Sequence, residues 1–220
     1  LFRRGLYEIG ELFTFRPLSK LDFARLFESR IKSVNLASKE DASQGFETRI
    51  ATSGQDAPGR ADGPLSDAVR HMAGGRYQEA WDIFSRYLAE SEPGGQESAG
   101  RDLANILSAQ CAFFLDENGD AFELLSEVSP SREHSHYALY QLLRAQLLIE
   151  SHAFADALET LAEFLDEPTG SEEDLQTARL LTGVAYEGLG NLPVARTYYR
   201  RATSPDPTST AAKSSRRLIE

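Results

Sequence analysis

The sequence predicts an all-α protein, a solenoid of about four helical hairpins with an N-terminal helical hairpin and a C-terminal capping helix. Apolar residues recur at three- and four-residue spacing along most of the 220 residues, which is the period of helices packed along one face. The spacing Ala80-x-x-x-Phe84 recurs as Ala195-x-x-x-Tyr199, each time after a turn that contains glycine. One hairpin cannot bury its apolar face alone, so stacked neighbours are expected.

One stretch of the chain carries the hairpin pattern most completely. Its small residues suit a close crossing of two antiparallel helices, and a glycine at the turn supplies a left-handed backbone conformation. The pattern is Gly183-x-x-Tyr186, Gly190, Ala195-x-x-x-Tyr199, Ala202 and Pro207. It resembles one tetratricopeptide repeat. The resemblance implies a right-handed α-solenoid whose concave groove, lined by the first helix of each repeat, holds a partner.

Four such hairpins are predicted, over residues 64–90, 101–128, 137–165 and 174–204. In the second, Asn118-Gly119 is expected to form the turn. Ala121 follows so closely that the return helix should be short. In the third, His152 stands where the other hairpins have a turn glycine.

The domain organisation follows from where the apolar period starts and stops. Residues 1–36 predict a helical hairpin, 37–63 a linker or strap rich in Gly, Pro and Asp, 64–209 the solenoid, and 210–220 a capping helix with a polar outer face. Residues 6–36 also resemble an uncharacterised helical domain of anchored, extracytoplasmic bacterial proteins, through Leu12-Phe13-Thr14-Phe15-x-Pro17-x-x-Lys20. That resemblance implies a location at the cell envelope, with the cytoplasm as the alternative.

Charge is distributed unevenly along the chain. Residues 1–60 have a net charge of +2, residues 61–175 of −17 and residues 176–220 of +4, within a total of −11. The acidic block repels phosphate backbones and anionic headgroups, so nucleic acid and membrane surfaces are not expected as its partners. Basic or apolar protein partners are favoured over acidic ones. The alternative is a solvated acidic surface that keeps the protein soluble.

No group of residues predicts catalysis, a metal site or a cofactor, so we do not expect an enzyme. His134 and His136 have i, i+2 spacing, which does not direct two rings at one zinc ion as i, i+4 spacing does. The carboxylate pair Glu172-Glu173 is predicted to lie in a loop rather than to converge with another acid. The single cysteine, Cys111, lies on an apolar helix face, where a buried, unreactive thiol is expected.

The function that these observations predict is a non-catalytic protein–protein interaction scaffold, which binds a peptide or a partner helix in the groove. The alternatives are a regulatory or carrier part of a larger enzyme, and an architectural subunit of an envelope assembly. The family resemblance implies groove positions in repeats one, three and four, although the large apolar ones could instead belong to the core. They are Val69, Met72, Leu139, Leu142, Gln146, Ile149, Thr177, Leu180, Val184 and Glu187.

Overall fold

The computed structural model describes residues 64–91, 98–133, 136–203 and 207–219, and their regular secondary structure is entirely α-helical. This confirms the all-α class. The predicted N-terminal hairpin and the linker or strap, residues 1–36 and 37–63, lie outside these ranges. The helices are α1 (Pro64–Ala73), α2 (Tyr77–Glu90), α3 (Ser98–Phe114), α4 (Asn118–Ser126), α5 (Tyr137–Glu150), α6 (Phe154–Asp166), α7 (Glu172–Gly188), α8 (Leu192–Ala202) and α9 (Thr210–Ile219).

The first eight helices form four hairpins, α1–α2, α3–α4, α5–α6 and α7–α8, each made of two helices packed on one another. Each hairpin matches its predicted span to within three residues. The agreement arises because apolar spacing and turn residues are both local features of the sequence. How the four hairpins stack, and whether they form one right-handed solenoid, stays a prediction.

The four hairpin turns share one geometry. Each turn contains one residue with positive φ. A buried alanine of the second helix follows that residue by five positions. The residue directly after the positive-φ residue donates its N–H to the carbonyl five positions back, at 2.8–2.9 Å, which ends the first helix with a Schellman-type cap. The positive-φ residues are Gly75, Asp116, His152 and Gly190, and the alanines are Ala80, Ala121, Ala157 and Ala195.

The turn of the second hairpin was predicted at the wrong residues. Asp116, with φ of 70°, is the left-handed residue, while Gly119 lies inside the first turn of α4. Aspartate is one of the few residues with a side chain that enters this region readily, because its short polar group can bond locally. The second hairpin therefore keeps the register of the other three. Its return helix is short, as predicted, at 9 residues.

The described residues fall into two compact units, which divide between Pro130 and Ser131. In the first unit, α2 packs against α3 and so joins the first two hairpins, around a core that includes Met72, Phe84 and Phe113. In the second unit, α7 packs against α5, α6, α8 and α9. Helix α7 is therefore the central element of that unit.

Helix α9 lies where the capping helix is predicted, and its capping role stays a prediction. The hydroxyl of Ser209 accepts a hydrogen bond from the N–H of Ala212 at 3.1 Å, which satisfies one donor at the start of the helix. The buried side of α9 carries only small residues, and its cations are exposed. None of the described helices combines the length and the apolar content that a membrane crossing would need.

Candidate partner-binding groove

The ten predicted groove residues lie on the first helices of three hairpins, as the register implied: two on α1, four on α5 and four on α7. Helices α5 and α7 pack together within one unit, so the structure brings eight of the ten into one region. The pair on α1 belongs to the other unit. The eight are Leu139, Leu142, Gln146, Ile149, Thr177, Leu180, Val184 and Glu187, and the pair is Val69 and Met72.

Nine of these ten side chains are buried in this structure. The most accessible of the nine, Val69, is 4% exposed, and Leu180 is not exposed at all. Helices α5 and α7 are buried around nearly their whole circumference, with Arg144 the single fully exposed residue of α5. In this conformation, these positions serve as core packing, and a partner reaches them only if the chain that covers them moves away.

Glu187 is the one predicted groove residue with substantial exposure, and it already has a partner. The hydroxyl of Tyr199 donates a hydrogen bond of 2.6 Å to its Oε2. Burial, and then this bond to Glu187, raises the pKa of Tyr199 far above its usual range. This hydrogen bond joins the last turn of α7 to α8, so Glu187 contributes to the stability of the hairpin.

Glutamines occupy the same register position in two of the hairpins. Gln146 precedes Ala157 by 11 residues, and Gln110 precedes Ala121 by 11 residues. Gln146 donates from Nε2 to Glu150 at 3.1 Å, but its Oε1 has no hydrogen-bond partner among the described residues. Within the same residues, neither amide atom of Gln110 has one. Both side chains are at most 1% exposed, and a buried amide without a partner costs about 1 to 3 kcal/mol.

Gln110 is not among the predicted groove residues, because none was predicted in the second hairpin. Counting back 11 residues from Ala121, as from the alanine of each other hairpin, would have found it. The equivalent positions in the first and fourth hairpins hold Val69 and Val184. The buried polar atoms Asn105 Oδ1 and Ser108 Oγ, also on α3, likewise have no hydrogen-bond partner in the part of the chain that the structure describes.

The carboxylates after residue 170 do not lie in a loop. Glu172 and Glu173 form the first turn of α7, where negative charge favours the helix dipole. Asp174 is 5% exposed and completes a capping box, in which its Oδ2 accepts from the backbone N–H of Ser171 at 2.7 Å. The prediction of a loop was wrong because Ser171-x-x-Asp174 is itself a helix start signal.

The histidines do not converge in the part of the chain that the structure describes. His136 immediately precedes α5, and His152 forms the turn of the third hairpin, stacked edge-on against Phe154. His134 lies outside the described residues. Within those residues, no three His, Cys, Asp or Glu side chains are placed to hold a metal ion.

Cys111 lies inside α3, fully buried as predicted, and its ionisation gives stability a pH dependence. Burial raises the pKa of the thiol far above its usual range, whereas in the unfolded chain it is about 8.5. Above that pH, the unfolded state loses a proton that the folded state keeps. The stability linked to this group is thus present below about pH 8.5 and is lost as pH rises.

We expect the free energy of unfolding to fall between about pH 9 and pH 10 with a contribution from Cys111 of up to about 1.4 kcal/mol per pH unit. Cys111→Ala should remove that contribution and leave a shallower slope. Urea unfolding of both chains at pH values across this range measures the difference. Equal slopes would show that the thiol ionises in the folded state too.

In comparisons with known proteins, no protein-family model, no curated protein and no solved structure matches this chain. The likeness to tetratricopeptide repeats therefore depends on the residues and turns of the four hairpins alone.

Proposed function

We propose that this chain is a non-catalytic protein-interaction module, in which tetratricopeptide-like hairpins bind an extended peptide on their first helices. The shared register of the four hairpins supports it, since the first helix of each hairpin presents equivalent positions. The observation that carries the proposal is the pair of buried, incompletely bonded glutamines, Gln110 and Gln146.

A glutamine amide matches the hydrogen-bonding groups of a peptide backbone, because it offers one carbonyl acceptor and two N–H donors. A peptide laid over Gln146 would give its Oε1 the donor that it lacks. Leucines next to it on α5, such as Leu142, would supply apolar contact. Hydrogen bonds from the glutamine to the peptide backbone do not depend on the side chains of the peptide. The bound peptide can therefore carry apolar or basic side chains.

Binding at these positions requires that they first become accessible. Gln146 is 1% exposed, so the bound state differs from the conformation described above by a local opening. If only a fraction of the molecules is open and able to bind, the apparent Kd is the intrinsic Kd divided by that fraction. We therefore expect association slower than the usual 10⁵–10⁷ M⁻¹s⁻¹, on the order of 10⁴ M⁻¹s⁻¹ or less.

The test uses 12-residue peptides selected from a random display library on the full chain. Gln146→Leu should weaken the selected peptides by about tenfold, the effect of one lost hydrogen bond worth roughly 1.4 kcal/mol. The free energy of unfolding should change little, because the loss of the bond to Glu150 is offset by the removal of a buried carbonyl without a partner among the described residues. Fluorescence anisotropy and urea unfolding measure the two quantities.

Gln78→Leu is the matched control, since it makes the same chemical change on the exposed surface of α2. It should leave peptide affinity unchanged. The proposal fails if no peptide is enriched over a denatured sample of the chain. It fails equally if the affinities of the selected peptides are insensitive to both Gln146→Leu and Gln110→Leu.

A further inference from the structure

The last hairpin and the capping helix carry a concentration of positive charge. Among the described residues of 188–219 there is no carboxylate side chain, although the whole chain has a net charge of −11. All six cations there are exposed. We call them the basic face: Arg196, Arg200 and Arg201 of α8, and Lys213, Arg216 and Arg217 of α9.

The cations of each helix are held outward by the way that helix packs. Helix α8 buries Ala195, Tyr199 and Ala202, which leaves Arg196 and Arg200 adjacent on its outer side. Helix α9 buries small residues, among them Ala212 and Ser215, so its cations share the opposite side. Helices α8 and α9 pack against each other, so both sets of cations belong to the same unit.

Three cations of the basic face are not neutralised by the described residues. Arg196, Arg200 and Lys213 make no ion pair with any described carboxylate, unlike Arg132 and Arg179, which do. Like charges at i, i+4, as in Arg196 and Arg200, repel each other and destabilise a helix. A surface with this unfavourable arrangement gains most from a negatively charged partner.

One arginine of the basic face is pre-positioned beside apolar surface. The guanidinium of Arg201 lies over the ring of Tyr198, 5.4 Å from its centroid, and Tyr198 stacks on Tyr186 at 5.6 Å. Leu189 precedes α8, at the opposite end of that helix from Arg201, and is 53% exposed. An ordered cation next to tyrosine rings suits a ligand with both acidic and apolar groups.

From this geometry we infer that the basic face binds an acidic segment of a partner protein. Five of its six cations are arginines, whose planar guanidinium binds a carboxylate through two parallel hydrogen bonds. Helix α8 has 11 residues and is thus about 16 Å long, so about five residues of extended peptide would span it. This acidic ligand differs from the peptide proposed for the groove, and it occupies a separate surface.

A short acidic peptide fits the charge of the chain better than a long nucleic acid or a membrane does. Residues 61–175 have a net charge of −17. A polyanion or an anionic bilayer that extends beyond the basic face would be repelled by that block. A peptide of about ten residues carries fewer charges and meets less of that repulsion.

The probe for the test is a fluorescein-labelled ten-residue peptide with five glutamates and two phenylalanines, and the reference is the same peptide with glutamine in place of glutamate. The full chain should bind the acidic peptide and not the reference. Arg196→Gln with Arg200→Gln should weaken binding by about tenfold or more. Arg86→Gln with Arg144→Gln, two exposed arginines elsewhere, should leave it unchanged.

Three results would overturn the inference. The first is equal binding of the acidic peptide by both double variants. The second is that phosphatidylglycerol vesicles or single-stranded DNA bind as tightly as the peptide, and that Arg196→Gln with Arg200→Gln abolishes this binding. The third is that the chain self-associates in analytical sedimentation and that Arg196→Gln with Arg200→Gln abolishes the self-association. The partner of the basic face would then be a second copy of this chain.

Discussion

Leu142→Ala should lower the free energy of unfolding by about 2 to 5 kcal/mol, among the largest losses that one truncation in this chain can cause. Leu142 is 2% exposed on α5, a helix buried on nearly all sides. The substitution removes buried methyl groups and leaves a cavity that the surrounding helices fill only in part. Urea unfolding of the full chain, followed by circular dichroism, measures the loss.

Leu189→Ala is the matched control, because it makes the same truncation at a residue that is 53% exposed. Its effect should stay within about 0.5 kcal/mol. If Leu142→Ala cost no more than Leu189→Ala, Leu142 would be an open groove residue, as the family resemblance implied. A large loss instead means that a peptide-binding assay on Leu142→Ala measures unfolding along with binding, whereas Gln146→Leu avoids that ambiguity.

The sequence predicted the hairpins well because their determinants are local. Apolar period placed the helices, and the glycines at 75 and 190 marked two turns where φ is positive. Even His152 was placed at its turn by comparison with the other hairpins, and it has φ of 60°. In the second hairpin, the turn was predicted at Asn118-Gly119 because glycine is a strong turn signal. The residue with positive φ is Asp116 instead.

Whether the predicted groove positions are open to a partner could not be predicted, because periodicity gives the direction of a side chain but not what lies in that direction. Positions such as Leu142, Ile149 and Leu180 were placed on the first helices correctly, but their burial depends on contacts distant in sequence. One signal was present. Residues 142–149 are apolar on almost every side of the helix, and such a helix is buried rather than open along one face.

Gly183→Ala should lower the free energy of unfolding by about 1 to 2 kcal/mol, although alanine is the better helix former by about 1 kcal/mol. Gly183 is buried in α7, where an added Cβ would overlap the ring of Tyr199 on α8. Tyr199 is itself 1% exposed and bonded to Glu187, so the ring has little freedom to move. Overpacking at this crossing therefore outweighs the gain in helix propensity.

Two comparisons isolate the crossing of α7 and α8 as the cause. Gly119→Ala adds the same methyl group in α4, where nothing lies within 4 Å of the new Cβ, and should be neutral or stabilising by up to about 1 kcal/mol. In a Tyr199→Leu background, where the ring is gone, Gly183→Ala should change sign and become neutral or stabilising. Urea unfolding of the four chains of this cycle gives the coupling free energy. A coupling free energy near zero would show that α7 and α8 do not approach closely at Gly183. The small residues of the hairpin would then not be explained by a close helix crossing.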